Sequence, residues 1–239
     1  MTETRKAFHE ELAEVSESVV RLGALAGEAI NAGTDCLLGS DLAAAELVIA
    51  ADAVTDELAR SIEAHSFLLL ARQQPMAVDL RTLVTVLRIA HELERIGDLM
   101  VNVAKASRRL YPYQMEPRIR GLLHRMREQA LAQLKLAIDA FAERDAVRAA
   151  ALSDMDDVMD ELQKELFRVL FELPAREEGV VQRAVQIALV GRYFERIADH
   201  AVNTGERVAY IVTGEFLDEP HHRERPNPSP PEPRTTGAG

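Results

Sequence analysis

Apolar residues recur at three- and four-residue steps along almost the whole chain, and no sustained alternating run is flanked by turn residues. Phe8, Leu12, Val15, Val19 and Leu22 follow this spacing, as do Leu83, Val86, Ala90, Leu93, Gly97 and Val101. The period fits the turn of an α-helix and not the pleat of a strand. An all-α fold is therefore expected. Ala, Leu, Glu and Arg dominate the composition, and all four favour helix.

Breakers divide the pattern into six predicted helices. "GSD" at 39–41 ends the first, and Asp41 suits the N-cap of the second. "QQP" at 73–75 precedes the third, where Pro75 suits a first helical turn. "YPYQMEP" at 111–117 separates third from fourth. "ERD" at 143–145 repeats the role of "GSD", with Asp145 as N-cap, and "ELPAREEG" at 172–179 separates fifth from sixth. Beyond Gly214 the chain turns polar and Pro-rich, a composition that cannot bury enough to fold.

The two halves match. Shifted by 104, Asp41, Asp52, Val54, Asp56, Glu57 and Leu58 fall on Asp145, Asp156, Val158, Asp160, Glu161 and Leu162. Shifted by 101, Glu94, Arg95, Ile96, Asp98, Val101 and Asn102 fall on Glu195, Arg196, Ile197, Asp199, Val202 and Asn203. The difference between the two shifts falls in a connection, where length costs little. This is an internal duplication. It predicts two tandem three-helix bundles, 1–112 and 113–215, followed by a disordered tail at 216–239. Short connections make successive helices antiparallel neighbours.

The duplicated segments carry acids in an unusual place. Glu94 and Asp98 lie one turn apart on one helix face. Leu83, Leu87, Ala90 and Val101 project within about 40° of Glu94, so the acids intrude on the apolar stripe. Glu195 and Asp199 do the same among Ala184, Ala188, Gly191 and Val202. Asp52/Asp56 and Asp156/Asp160 repeat the spacing on the second helix of each unit, although Asp157/Glu161 offers a competing register. Antiparallel packing would let each unit gather four carboxylates from two helices. Four like charges need an offset: arginine from a neighbouring helix, or a cation. All-oxygen donors favour hard cations. His91 and His200 flank the motifs at non-equivalent places, as candidate ligands or as exposed or capping residues. Asn102 and Asn203 are matched and suit a supporting or helix-contact role.

With "LARQQPMAVDLRTLVTVLRIAHELERIGDLMVNVAK" at 70–105, "ERIADHAVN" at 195–203 and "AFHEEL" at 7–12, the chain resembles the PhoU family of phosphate-uptake regulators over about residues 8–214. The resemblance implies a cytoplasmic, non-enzymatic, negative regulator of phosphate homeostasis that tends to form homodimers. Such a protein is an adaptor between the ATPase subunit of the phosphate ABC transporter and a phosphate-sensing histidine kinase. It reaches the membrane only through those partners and represses when phosphate is plentiful. The family's E(D)xxxD motifs bind Fe, Zn, Mn or Mg. Carried over, they are Asp52/Asp56, Glu94/Asp98, Asp156/Asp160 and Glu195/Asp199, with Ala198 in place of the usual glycine.

The remaining features narrow the choice. A net charge of −11 argues against nucleic acid as a partner. A single cysteine, Cys36, excludes an internal disulfide, suits a reducing compartment, and is expected in the core. The charged N-terminus does not read as a secretory signal, and no run of about 18 apolar residues is available to span a membrane. "GALAG" at 23–27 lacks the strand–turn–helix setting of a phosphate loop, so nucleotide binding is not expected. Lys105, Arg108, Arg109, Arg118, Arg120, Arg125 and Arg127 cluster near the junction, as a solvated helix-hairpin end or as a surface for an acidic partner or anionic membrane. Two rival readings remain: a carboxylate-bridged metal hydrolase or oxidase, and a metal-free scaffold whose acids pair with Arg95 and Arg196.

Overall fold

The structure is a computed structural model that describes residues 3–174 and 179–215. The tail at 216–239 lies outside the described residues. Among the described residues seven helices form: α1 (Glu3–Gly39), α2 (Leu42–Gln73), α3 (Val78–Leu110), α4 (Pro117–Glu143), α5 (Ala146–Ala150), α6 (Leu152–Phe171) and α7 (Val180–Thr213). No strand occurs among the described residues.

The duplication is visible in the atoms of the first connection of each unit. Asp41 adopts extended backbone and its side chain accepts from the Ala44 N–H at 3.0 Å. Asp145 does likewise for Val147 and Arg148, at 2.9 and 3.1 Å. Each aspartate satisfies donors that a helix start leaves open. The residue before each cap, Ser40 or Arg144, turns left-handed, and the next N–H reaches back to Cys36 O or Ala140 O. Cys36, Ser40, Asp41 and Ala44 fall on Ala140, Arg144, Asp145 and Arg148 by the same shift of 104, and the second unit adds the Val147 bond.

Two expectations need correcting. Pro75 is not in the first turn of the third helix, which starts at Val78. Gln74 is left-handed and terminates α2, and Ala77 also has a positive φ, so the chain turns again before the helix begins. The predicted fifth helix is broken at Ala151 into α5 and α6. The break accompanies a close approach to α7: a Cβ on Gly205 would stand 2.4 Å from Leu152 Cδ1 and 3.0 Å from the Ala149 carbonyl oxygen.

The first and third helices of each unit build the seam: α3 packs along α7, and α1 along α4. By contrast, among the described helices α2 packs only on α1 and α3. Correspondingly α6 packs on α4 and α7, with a minor contact to α5. One hydrophobic core runs through both units, from Phe8 to Ile211. Cys36 is buried beside it with Ala45, Val48 and Ala104, and burial pushes its thiol up to about 11, away from the reactive thiolate. The "GALAG" stretch lies inside α1.

The basic cluster at the junction is largely committed to bonds between helices. Arg127 meets Asp35 at 2.8 Å and Arg120 donates to Leu38 O at 2.5 Å, both across the seam. Arg118 meets Glu172, Arg125 meets Glu165 and Arg108 meets Glu46. Exposed pairs of this kind each contribute at most about 1 kcal/mol, so they register the helices more than they hold them.

Candidate functional site: two carboxylate quartets

Because α2 and α3 are antiparallel neighbours, Asp52 and Asp56 come to face Glu94 and Asp98. Burial, and then the charges of Asp56, Asp98 and Glu94, push Asp52 up to about 6. Arg95 offsets part of this charge, with Nη1 2.7 Å from Asp98 and Nε 3.3 Å from Glu94. His91 Nδ1 stands 3.6 Å from Glu94. Asp56, Glu63, His91, Glu94 and Arg95 line a cavity of about 350 Å³ between the two helices.

On the second unit α6 and α7 bring Asp156 and Asp160 towards Glu195 and Asp199. Burial, then Asp199, Asp160 and Asp157, push Asp156 up to about 6. Burial and then Asp199 push Glu195 up to about 7, against the opposing pull of Arg192, which is ion-paired to it. Asp199 is also raised, chiefly by burial. Of the two registers on α6, Asp156/Asp160 is the partly buried one. Asp157 and Glu161 are exposed, and Lys164 at 2.7 Å holds the Glu161 carboxyl below its ordinary range.

The counter-charges differ between the copies. Arg192 occupies the position of His91 in the duplication, so one quartet has a fixed cation where the other has an imidazole. The second quartet also holds two buried oxygens without a hydrogen-bond partner, Asp156 Oδ1 and Glu195 Oε2. Orphaned buried acceptors in an all-carboxylate set suit a hard cation, so the residues present fit one. Among the described residues, no three His, Cys, Asp or Glu side chains converge into a formed cation cage.

Gly97 and Ala198 are equivalent, and the first has little room to become the second. A Cβ on Gly97 would lie 3.0 Å from Asp52 Oδ1 and 3.4 Å from Thr55 Cγ2. Gly97→Ala is expected to move the Asp52 carboxylate while changing stability by no more than about 1 kcal/mol, since crowding is offset by better helix propensity. Denaturant melts, together with the apparent pKa of Asp52 from carboxyl NMR shifts, check both parts.

Sequence spacing did not reveal a polar contact across the seam. His200 Nδ1 on α7 lies 2.6 Å from Glu92 Oε2 on α3, and both side chains are 14% exposed. Asn203 Nδ2 donates to the same oxygen at 3.4 Å, a helix contact for that matched asparagine. Burial would raise Glu92, but the hydrogen bond and charge of His200, with help from Asn203, hold it below its ordinary value. The partners are 108 residues apart, and no local pattern joins them. His200→Ala is expected to cost about 2 kcal/mol at neutral pH by leaving a largely buried carboxylate short of a partner. The difference from wild type should shrink as the pH falls through the carboxylate range, which urea melts at several pH values would reveal.

Comparison with known proteins accounts for the repeat. The PhoU domain model matches twice, over residues 19–107 and 123–208. The phosphate-specific transport system accessory protein PhoU homolog 1 of Mycobacterium tuberculosis is 38% identical over 211 residues, covering 88% of this chain and 95% of that protein. A PhoU homolog of Clostridium acetobutylicum is 32% identical, covering 90% and 98%. The crystal structure of PhoU from Pseudomonas aeruginosa superposes with a TM-score of 0.81 at 30% identity, over 87% of this chain and all of that one. A phosphate transport system regulatory protein PhoU from Streptococcus pneumoniae gives the same TM-score at 29% identity, over 88% and 99%. With both units matched by the domain and the relatives covered almost end to end, the chain belongs to the PhoU family.

Proposed function

We propose that this protein is a cytoplasmic regulator of phosphate uptake and of the phosphate-starvation response. It acts as an adaptor between the ATPase subunit of the phosphate ABC transporter and a phosphate-sensing histidine kinase, and it represses when phosphate is plentiful. The general phosphate-regulatory role follows from family membership, and the family is regulatory rather than catalytic. The observation that carries the finer reading is the retention, in both matched units, of a four-carboxylate face shared by α2 and α3 and by α6 and α7. No described helix is long and apolar enough to cross a membrane.

In this reading Asp52, Asp56, Glu94 and Asp98, and Asp156, Asp160, Glu195 and Asp199, hold divalent or trivalent cations of the Fe, Zn, Mn or Mg class. A bound cation would supply positive charge to the quartet and open coordination positions to a docking carboxylate. Exposed apolar side chains near the start of α7 and the end of α6, Val181, Val185 and Phe171 among them, support a protein partner or a second copy of the chain on that side. One observation favours the metal-free alternative: Arg95 already bridges Glu94 and Asp98.

Deleting the gene should raise alkaline phosphatase activity in phosphate-rich medium, and the intact gene should return it to the repressed level. Glu94→Ala/Asp98→Ala and Glu195→Ala/Asp199→Ala should restore repression only weakly. Unchanged activity in the deletion strain, with no second family member in the genome, would sink the regulatory reading for this chain. In vitro, a cation present at 100 times its Kd should stabilise the chelated protein by about 2.7 kcal/mol per site. Absence of any stabilisation would leave the arginine-neutralised scaffold.

A further inference from the structure

Among the described residues, most arginines at the junction between the units are spent on a carboxylate or a carbonyl, but two are not. Arg109, at the end of α3, donates to an amide, with Nη1 3.5 Å from Gln186 Oε1. Arg183, in the first turns of α7, lies over the Tyr113 ring with its guanidinium carbon 4.8 Å from the centroid. Neither makes an ion pair among the described residues. Both face one cavity of about 320 Å³, which Tyr111, Tyr113, Gln182 and Gln186 also line.

The cavity is built to present donors. Gln186 uses Oε1 on Arg109, which leaves its Nε2 to donate. Helix α7 starts at this cavity, and Gly179, left-handed at φ 76, has no side chain to cap it. A Cβ on Gly179 would come 3.1 Å from Arg183 Nη1, so the glycine lets the guanidinium fold back over the helix start. The first N–H groups of a helix carry partial positive charge and favour an anion there. Guanidinium forks match the geometry of phosphate oxygens in a way an ammonium does not.

We propose that this cavity is an oxyanion site for a phosphate group, either free inorganic phosphate or the phosphoryl end of a small phosphomonoester. Arg109 and Arg183 supply the charge, Gln182 and Gln186 supply neutral donors, and the exposed Tyr111 ring at the rim offers a surface for an ester's organic part. The site is separate from both carboxylate quartets and does not depend on a metal. It stands independently of the adaptor reading, since it is measured as binding to the purified chain.

The test is titration calorimetry and phosphorus NMR on the full chain in chelator, with inorganic phosphate, phenyl phosphate and sulfate as probes. One saturable phosphate site per chain is expected. Arg109→Gln should weaken it about tenfold, the loss of one charge-assisted contact. Arg109→Gln/Arg183→Gln should abolish it, and Arg183→Lys should weaken it while keeping the charge. Arg125→Gln, which removes a junction arginine outside the cavity, should leave binding unchanged. Thermal melts check that the variants fold, and because Arg109 is exposed its single variant carries the test if the double one unfolds. Tighter phenyl phosphate would identify an ester as the ligand, and equal affinity would identify free phosphate. Absence of saturable binding, equal affinity for sulfate, or undiminished binding by the double variant would each overturn the proposal.

Discussion

In chelator, the protein is expected to lose stability as the pH rises from 5 to 8, against the usual behaviour of salt-bridged acids. Asp52, Asp156 and Glu195 have folded values of about 6, 6 and 7, all above those of free carboxyls. The folded chain therefore binds more protons than the unfolded chain through this range, and stability falls as pH rises. Their contribution is fully present below the ordinary carboxylate range and is lost as the pH passes through about 6 to 7. Allowing for solvent screening, the loss amounts to about 2–3 kcal/mol. For a chain of this size that lowers Tm by about 5–10 °C. Glu92 acts with the opposite sign, because its lowered value gives stability that disappears in acid. The optimum should therefore lie at about pH 4–5, within the ordinary carboxylate range. Thermal melts in chelator across this range test the expectation, and a Tm that rises or stays flat would overturn it. A cation bound to the quartets should flatten the slope, as should Asp156→Asn with Glu195→Gln.

Phe194→Ala is expected to cost about 3–5 kcal/mol, the range for truncating a buried aromatic ring whose space cannot collapse. Phe194 is wholly buried and sits in the core that both units share. Its neighbour Glu195 belongs to the second quartet, so the substitution also loosens the helix that carries the acids. Phe194→Leu, which keeps most of the volume, should cost far less. Urea unfolding followed by circular dichroism gives both numbers. A loss under about 1 kcal/mol for the alanine variant would mean that the core repacks around the gap.

Much of this architecture is legible in the chain, because helices advertise themselves locally. The periodicity of Phe8 to Leu22, and the caps Asp41 and Asp145, concern residues within a few turns of one another. The quartets are legible for a different reason: two copies in register show that the acids at 52, 56, 94 and 98 belong together. What escaped the sequence is long-range or relational. Glu92 meets His200 only because α3 lies along α7. The arginines near the junction look like a basic patch until Asp35, Glu46, Glu165 and Glu172 arrive from other helices. The break at Ala151 has no proline or glycine to announce it and accompanies packing against Gly205. Pro75 misled because Gln74 and Ala77 use positive φ before α3 can start.

The seam between α3 and α7 has a consequence for orientation. Duplication alone would make a molecule that looks the same from either end. Here one face pairs His91 with a glycine at 97 and an unbroken α2, whereas the other pairs Arg192 with Ala198 and a fractured partner helix. Joined rigidly through a shared core, the two faces give the protein a head and a tail. A ligand that recognised an acidic face would therefore meet two different surfaces on one molecule.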